Sequence, residues 1–421
     1  MAISYISFVL WALFSYFYAI NPTEVLVNIV RHFNTLFMFI NLGIFIYNIK
    51  NKERLLSLAI MLILSVEIYF VLVQALDMYN TGGKVDPGML KGVTANRNIT
   101  AFSIAIKLPY VLFLIFSSKK FFSKLVYSFI IFLGLFSLTM IESRASFVAA
   151  GSVAILLFFW TIYLSKKEKS YKNLITNFYY LIPMILALLI NQSLLKDKGS
   201  DALSRAATIS LSTNDGSVNQ RLRYYEDVLT HITKNPILGT GIGNWKLTSI
   251  DYDKDDINGY IVPYHAHSDF IQLGAELGII GFLLYLGVFL FAAYYVFIIL
   301  FRTQLDLKTK TFVAMLLCSL AVYSVDANLN FPIARPQVLA PWALTMALFI
   351  YYYKQIKTKK VSEKTIGRFS FFPIVLLLIM TPSTHIANVN YKSLIGQLTL
   401  LRDFNSNQYS VALNEIDNIT P

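Results

Sequence analysis

Long apolar segments recur along the whole chain and constrain its fold more than any other feature. A helix that crosses a bilayer needs about 20 predominantly apolar residues. Segments near this length are predicted at 4–20, 33–48, 55–77, 98–117, 125–141, 146–165, 174–195, 269–301, 311–325, 337–353 and 370–389. Charged residues make up 14% of the chain, against roughly 25% in soluble domains. The sequence therefore predicts an all-α fold, a polytopic membrane helix bundle of about 11 to 12 transmembrane helices.

Lysine and arginine predict which side of the membrane each loop occupies, because short loops rich in these residues stay cytoplasmic. The cations collect in five loops, each after an even-numbered segment, at 50–54, 119–124, 166–172, 302–310 and 354–368. This places the N-terminus in the cytoplasm and the long loop 196–268, which contains surface helices, on the outer side. The net charge of +12 follows from this topology and indicates no nucleic-acid partner. The first segment has no A-x-A cleavage site and is predicted to be an uncleaved helix.

Two domains are predicted. Residues 1–389 form the transmembrane domain, and this domain includes the loop 196–268. Residues 390–421 form an outer helical tail. The lone Cys318 lies within a predicted span, so a disulfide framework is excluded.

Polar side chains collect in the outer turns. They are Asn96, Arg97, Asn98, Glu142, Ser143, Arg144, Asp326, Asn328, Asn330 and Arg335, and the long loop adds Arg221, Arg223, His231, His265 and His267. In a helix bundle these turns are expected to converge on one face.

One part of the long loop has helical periodicity. Apolar residues at 222, 225, 229 and 232 recur at intervals of three and four, which predicts an amphipathic helix on the membrane surface. Asn219 is predicted to cap its start, and Asn235 with Pro236 to end it. A stripe of this kind is more often plain packing than evidence of function.

Two histidines precede the segment 269–301. In an extended strand, residues two apart point the same way, so His265 and His267 could bind a metal together with Asp269. A structural role is usual for a loop histidine. His267 nevertheless lies where a lipid-borne substrate and an external acceptor would meet, and an imidazole suits proton abstraction near neutral pH.

An acidic run, Asp251, Asp253, Asp255 and Asp256, precedes these histidines. A calcium-binding EF-hand loop needs Gly at its sixth position and Glu at its twelfth. Counted from Asp251, those positions hold Asp256 and Val262. A solvated loop is therefore predicted, and no metal site.

Arginines in the outer turns suggest an anion site. Arg144 lies in a short turn close to hydrocarbon, where a cation often marks a functional site, although a snorkelling anchor that pairs with Glu142 is an equal alternative. Together with Arg221 and Arg335 it would make a diphosphate clamp, since each guanidinium binds phosphate oxygens bidentately.

Two further features receive structural explanations. Gly239, Gly241 and Gly243 do not follow a strand of a βαβ unit, so a tight turn is predicted and not a nucleotide loop. Glu67 and Lys107 lie within predicted spans. A buried ion pair is the favoured use for them, and a proton or ion path is the alternative.

The sequence resembles the O-antigen ligase and polymerase superfamily of bacterial inner-membrane proteins. The family motif is His, then Asn, Ser or Gln, nine residues, and Gly-x-x-Gly; His267, Ser268, Gly278 and Gly281 match it fully. "SRAS" at 143–146 is similar to the family's arginine turn. "QRLRYYEDVLTHITKNPILGTGIGN" is similar to the stretch in which an Arg precedes an aromatic by four residues and Pro-x-x-Gly-x-Gly follows, which selects Arg221. Weaker similarities surround Asn98 and Arg335, and the resemblance covers roughly 90–345.

The resemblance implies transfer of a glycan from undecaprenyl diphosphate to an acceptor at the periplasmic face, without cofactor or metal. It implies His267 as the base that accepts the acceptor's proton, and Arg144, Arg221 and Arg335 as donor diphosphate ligands. His265, Glu276 and Asn98 would support them. Direct displacement would invert the anomeric centre. The expected partners are the lipid-linked glycan, the bilayer, and lipid A core or protein as acceptor.

Several alternatives remain open. Ligation to lipid A core is favoured, with protein O-oligosaccharyltransferase and O-antigen polymerase as alternatives in the same family. A glycolipid flippase or transporter would instead keep ionisable groups near mid-membrane. The sequence departs from the family at Tyr225, where Trp is usual, and in its span count, since twelve spans are common in ligases. The tail 390–421 is similar to the start of a helical-repeat extension, which would make the chain truncated.

Overall fold

Helices form all the regular secondary structure in the residues that the computed structural model describes, which are 1–208, 216–253 and 264–357. The predicted all-α polytopic fold is confirmed. The predicted span 370–389, the tail 390–421 and part of the acidic run at 251–256 lie outside the described residues.

The helices follow one another closely along the chain. In order they are α1 Ala2–Phe14, α2 Pro22–Asn48, α3 Lys52–Gly82, α4 Arg97–Ser117, α5 Phe121–Ile141, α6 Arg144–Glu168, α7 Lys172–Ile175, α8 Phe178–Leu194, α9 Ala202–Ala207, α10 Gly216–Lys234, α11 Trp245–Thr248, α12 Ile250–Asp253, α13 Asp269–Phe301, α14 Leu307–Leu329 and α15 Pro336–Lys357. Short 3₁₀ turns lie at Ser15–Phe17, Lys196–Lys198 and Pro332–Ala334.

Eight helical segments in the described part of the chain are long and apolar enough to span a membrane. They are α2 to α6, Lys172–Leu194, α13 and α14, while Ala2–Phe17 is a shorter apolar helix. The protein is thus a multi-pass membrane protein, but the predicted count of 11 to 12 spans is not confirmed.

The second helix begins earlier than predicted. The side chain of Asn21 accepts a hydrogen bond from the Thr23 amide at 3.0 Å, and Pro22 occupies the first helical position, an arrangement that favours a helix start. The predicted start at residue 33 is wrong because Arg31 and His32 interrupt the apolar pattern. Arg31 therefore belongs to a helix and not to a loop.

The central helix of the bundle is α4. Every residue from 99 to 115 is buried, because α3, α5, α6, α14 and α15 all pack around it. A helix that is buried on all sides needs an apolar surface all round. By contrast, Leu62, Ile63 and Val66 on the outward face of α3 are more than half exposed, as expected for a face that contacts lipid.

Two charged residues in the bundle form an ion pair. Lys107 Nζ lies 2.9 Å from Glu67 Oε1, and both side chains are buried. The buried pairing predicted for these residues is confirmed. If either residue lacked its partner, the remaining buried charge would lower the free energy of unfolding by roughly several kcal/mol.

A break at Gly278 divides α13 into two segments. Gly278 has φ 65° and ψ −170°, a conformation that only glycine adopts readily. Phe270 in the first segment contacts Tyr285 and Phe289 in the second, with ring centroids 5.4 and 5.1 Å apart. The first segment, Asp269 to Leu277, therefore folds back against the second. The apolar segment predicted at 269–301 is present with the same bounds, and no feature of the sequence indicated the break within it.

The connections at one end of the bundle are joined by backbone hydrogen bonds. We call this the loop end and define it by residues 15–21, 83–96, 142–143, 195–208, 216–253, 264–268 and 330–335. The Val85 amide donates to the Lys198 carbonyl at 2.7 Å, and the Ile20 amide to the Thr240 carbonyl at 3.2 Å. The predicted convergence of polar turns on one face is confirmed for these segments.

Candidate active site

A polar cavity opens at the loop end. It is lined by Asn96, Asn98, Ile99, His267, Asp326, Asn330, Phe331, Pro332 and Arg335. These residues come from the start of α4, the end of α14, the turn before α15 and the segment before α13. The cavity thus brings together three residues predicted for the site, Asn98, His267 and Arg335.

The backbone of His267 has an unusual conformation. Its φ is 57°, in the left-handed region that non-glycine residues seldom adopt. Tyr225 holds it there, because the single hydrogen of the Tyr225 hydroxyl is shared between the His267 carbonyl at 3.0 Å and the closer Asn328 carbonyl at 2.6 Å. Ser268 then caps α13 by accepting a hydrogen bond from the Ile271 amide. The segment is therefore not extended at His267, and the parallel histidine pair considered for a metal site is wrong.

The His267 imidazole lies between two aromatic rings. It stacks on Tyr224 with centroids 6.0 Å apart and meets Phe331 edge-on at 5.5 Å. Burial, and then the charge on Arg221, lower the pKa of His267 from 6.5 to about 4. The ring is therefore neutral at neutral pH. Its Nδ1 has no hydrogen-bond partner among the described residues, so it can accept a proton or a ligand group.

Arg221 and Tyr225 fasten α10 to the end of α14. Arg221 Nε donates to the Leu329 carbonyl at 3.2 Å, and the Tyr225 hydroxyl donates to the Asn328 carbonyl at 2.6 Å. Carbonyls at a helix C-terminus lack helical partners and attract such donors. The spacing of four residues puts both side chains on one face of α10, which explains why the motif pairs an arginine with an aromatic residue.

The buried face of α10 differs from the predicted stripe. Tyr224, Val228 and His231 are buried, whereas Leu222 and Leu229 are 45% and 54% exposed. The face of α10 that packs on the protein meets aromatic and small residues such as Trp245. A stripe that faces the membrane would be exposed in the same way as Leu222 and Leu229, so the membrane-surface position of this helix stays a prediction. The predicted end at Asn235 is confirmed, and the helix begins at Gly216, before Asn219.

Phe331 joins two basic groups beside the cavity. The His265 ring stacks flat on Phe331, with centroids 4.0 Å apart at an angle of 14°. The Arg335 guanidinium carbon lies 4.7 Å from the same ring centroid, a cation–π distance. Arg335 Nε and His265 Nδ1 are buried and have no hydrogen-bond partner among the described residues. Clustered unsatisfied groups of this kind often mark a ligand site.

Arg144 and Glu142 lie at the loop end, but outside the cavity lining. Arg144 is the first residue of α6 and is partly buried. Ser200 Oγ donates to Glu142 Oε1 at 2.8 Å, and Arg205 Nε donates to the Glu142 carbonyl at 3.5 Å. The carboxylate of Glu142 is thus engaged by the segment that follows α8.

The glycine segment after α10 interlocks with the first half of α13. The Gly241 amide donates to the Glu276 carbonyl at 2.7 Å, the Thr240 amide to the Ala275 carbonyl at 3.2 Å, and the Ile279 amide to the Pro236 carbonyl at 2.9 Å. The first two bonds satisfy carbonyls, and the third an amide, that the break at Gly278 leaves without helical partners.

The glycine segment and α13 approach each other so closely that the interlock requires glycine. A Cβ on Gly239 would lie 2.5 Å from the Glu276 carbonyl carbon. All three glycines of the segment have positive φ, so the predicted tight turn is confirmed. The two family motifs are therefore parts of a single structural unit.

Glu276 lies behind the cavity and ties neighbouring segments together. Its Oε1 accepts hydrogen bonds from the Trp245 amide at 3.3 Å and from Gln272 Nε2 at 3.0 Å. Gln272 Oε1 accepts one from the Ala266 amide at 3.1 Å. This chain of contacts fixes the residue directly before His267.

Three ionisable residues near the site, Asp269, Asp326 and Arg31, are not among the predicted catalytic, diphosphate-binding or supporting residues. Asp269 Oδ2 accepts a hydrogen bond from the Ile333 amide at 3.1 Å, and Asp326 Oδ1 accepts one from Asn330 Nδ2 at 2.7 Å. Burial, then Arg335, with smaller contributions from His267 and Arg31, lower the pKa of His265 to about 4. Arg31 on α2 thus acts on the site electrostatically. The sequence signal that could have identified Arg31 was its position inside an apolar helix whose start is marked by Asn21 and Pro22.

Comparison with known proteins agrees with this geometry. The family model described as O-antigen ligase matches residues 129–286. That stretch contains Arg144, Arg221, His267 and Gly278, and so both interlocked motifs. No curated protein matches the chain. The match over 129–286 and the interlocked motifs at the loop end support membership of the O-antigen ligase superfamily.

Proposed function

We propose that the protein transfers a glycan from undecaprenyl diphosphate to an acceptor hydroxyl, with lipid A core as the favoured acceptor. One observation carries the proposal: His267 and Arg335 line the same cavity, and the charge on Arg221 acts on His267. A base and guanidinium groups at one site match the two needs of glycosyl transfer. The match to the O-antigen ligase family model supports glycosyltransferase chemistry.

The cavity is proposed to face the periplasm of a bacterial inner membrane. The cation-rich loops at 50–54, 119–124, 166–172 and 302–310 are at the end of the bundle opposite the loop end, which supports a cytoplasmic position for them. The donor's isoprenoid tail would then remain in the bilayer. Its diphosphate would reach the cavity from the membrane side.

Guanidinium groups would stabilise the leaving diphosphate. As the bond between the anomeric carbon and the phosphate oxygen breaks, its electron pair moves to the diphosphate, whose negative charge grows. Arg335 and Arg221 are held in place before the donor arrives, so they stabilise this charge without reorganisation. Arg144 is proposed as a third ligand that approaches from the start of α6.

His267 would accept the proton that the acceptor releases. The acceptor oxygen attacks the anomeric carbon on the face opposite the diphosphate, and its proton passes to the neutral imidazole. The products are the glycosylated acceptor with an inverted anomeric centre, undecaprenyl diphosphate and protonated His267. This step uses no metal and no cofactor. Asn98, which lines the cavity, would orient the sugar through hydrogen bonds.

The test uses purified full-length protein in lipid nanodiscs with a synthetic undecaprenyl-diphosphate glycan. Three acceptors are compared in parallel: lipid A core, a Ser- and Thr-containing peptide, and free glycan. Release of undecaprenyl diphosphate with glycosylated lipid A core is the expected result. Exclusive transfer to the peptide or to the free glycan would show that this molecule, and not lipid A core, is the acceptor. Absence of transfer to all three, with the donor bound, would contradict the function.

The pH profile of transfer is expected to show an unusually acidic limb. Burial and the Arg221 charge lower the pKa of His267 to about 4, and the neutral base is present only above its pKa. kcat/KM should therefore hold as the pH falls through 6.5 and decline only near pH 4, since this ratio reports groups of the free enzyme.

Arg221→Gln provides the matched comparison, because it removes the second cause of the shift. Its kcat/KM should be lower at every pH, and its acid limb should move to higher pH. Initial rates of transfer by the wild type and by Arg221→Gln, measured across the acid pH range, test this prediction. Two identical limbs at the ordinary histidine value would contradict the assignment of His267 as the base.

A further inference from the structure

A polar cluster lies beneath the cavity, and the chemistry proposed above does not use it. It consists of Glu67 on α3 with Ser103 and Lys107 on α4, and we call it the ion-pair cluster. Lys107 Nζ lies 2.9 Å from both carboxylate oxygens of Glu67 and 2.7 Å from Ser103 Oγ. Ser103 Oγ donates to Glu67 Oε1 at 2.8 Å. None of the three residues is more than 6% exposed.

The cluster also reaches a backbone oxygen that lacks its helical partner. In a regular helix the Gln337 carbonyl would accept the amide hydrogen of residue 341. That residue is Pro341, inside α15, and proline has no amide hydrogen. Ser103 Oγ lies 3.4 Å and Lys107 Nζ 3.5 Å from the Gln337 oxygen. The cluster therefore places a hydroxyl and a cationic ammonium beside this carbonyl, and their positive ends compensate for the missing amide hydrogen while their shorter hydrogen bonds go to Glu67 and Ser103.

This carbonyl belongs to the turn that presents Arg335 to the cavity. Gln337 follows Arg335 by two residues at the start of α15. On the other side, Ile99 lines the cavity and precedes Ser103 by one turn of α4, a rise of about 6 Å. The cluster thus links the helix that forms one wall of the cavity to the turn that carries its guanidinium.

Stability alone is a poor explanation for such a cluster. Replacing a buried ion pair with apolar residues of similar volume is often neutral or stabilising. A role in placing a backbone segment accounts better for two buried charges and a hydroxyl around one carbonyl. A buried carbonyl that loses these neighbours is costly, which favours a different first turn of α15.

We propose that the ion-pair cluster is a positioning device that holds the first turn of α15, so that Arg335 points into the cavity. Glu67, Ser103 and Lys107 are positioning residues and do not touch the substrate. The inference rests on the proposed function, because it takes Arg335 as a ligand of the donor diphosphate.

The test compares the wild type with an apolar triple variant, Glu67→Met, Ser103→Ala and Lys107→Met. The variant removes both donors and leaves no buried charge. Its kcat/KM for the donor is expected to fall roughly ten- to a hundredfold, as for a misplaced binding group. In an Arg335→Ala background the same triple substitution should cause no further loss, since residues that act through one another are not additive.

Pro341→Ala provides a rescue that a merely structural role would not show. It returns an amide hydrogen at residue 341, so the Gln337 carbonyl regains a helical partner. Added to the triple variant, it should restore most of the lost kcat/KM. An equal loss in the Arg335→Ala background, or no restoration by Pro341→Ala, would overturn the proposal.

A smaller change covers the case in which the triple variant does not fold. Ser103→Ala removes the shorter of the two contacts to the Gln337 oxygen. It should lower kcat/KM partially, and Pro341→Ala should reverse that loss; failure of the reversal would overturn the proposal.

Failure of the inference and failure of the function are distinguishable. A wild type that transfers glycan and loses activity on Arg335→Ala, together with an unchanged triple variant, contradicts only the positioning role. A wild type that binds donor but transfers to no acceptor contradicts the function itself.

Discussion

Replacing His267 with Ala is expected to slow transfer by roughly 10²- to 10⁴-fold, the usual contribution of a general base. The imidazole lines the cavity, is neutral at neutral pH, and is the group proposed to take the acceptor's proton. Donor binding should change little, because the diphosphate is assigned to the arginines. The measurements are transfer rate and donor affinity, both in nanodiscs.

His267→Asn separates the loss of the base from damage to the backbone. His267 has a φ of 57°, and asparagine tolerates this region better than most residues. His231→Asn is the matched control, since His231 packs under α10 against Trp245 and Tyr252. Near-normal transfer by His267→Asn would remove His267 from the base role.

Arg335→Ala should give the opposite pattern in the same assay. Its guanidinium lines the cavity and is assigned to the diphosphate, so donor affinity should weaken along with turnover. If donor affinity falls as much in the histidine variants as in Arg335→Ala, the division between base and diphosphate ligand is wrong.

Gly278→Ala is expected to destabilise the loop end by about 3 kcal/mol or more and to abolish transfer. A Cβ at this position would lie 2.0 Å from the Ile237 carbonyl oxygen, and φ is 65°. Relief of the clash requires the glycine segment to leave α13, and His267 would move with it. Thermal unfolding and transfer rate measure the two consequences.

Gly151→Ala is the matched control, because it lies in α6 with nothing within 4 Å of an added Cβ. In a regular helix Ala is more favourable than Gly by about 1 kcal/mol, so this variant should be as stable as the wild type or more so. Equal behaviour of the two alanine variants would show that the break at Gly278 is dispensable.

The sequence predicted those parts of the protein that depend on local pattern. Apolar length predicted most of the helices, and the spacing of polar turns predicted that Asn98, His267 and Arg335 would meet. Both inferences need only the rise of a helix and the alternation of chain direction between short loops. Neither inference requires knowledge of the contacts between individual side chains.

Features that depend on a partner surface could not be predicted in this way. The burial of Tyr224 and Val228 on the inward face of α10 follows from the aromatic and small residues that this face meets. The break at Gly278 depends on a backbone conformation within an apolar run, and hydrophobicity carries no sign of it. Arg31 was missed because its charge lowered the apolar score of the helix to which it belongs.

The interlock between the glycine segment and α13 consists largely of main-chain hydrogen bonds. Such bonds are indifferent to side-chain identity, so Ile237 and Leu238, which are 60% and 41% exposed, can diverge without displacing His267. A chain built on this plan can acquire a new recognition surface by ordinary point substitutions, while the arrangement of its reacting groups is inherited unchanged.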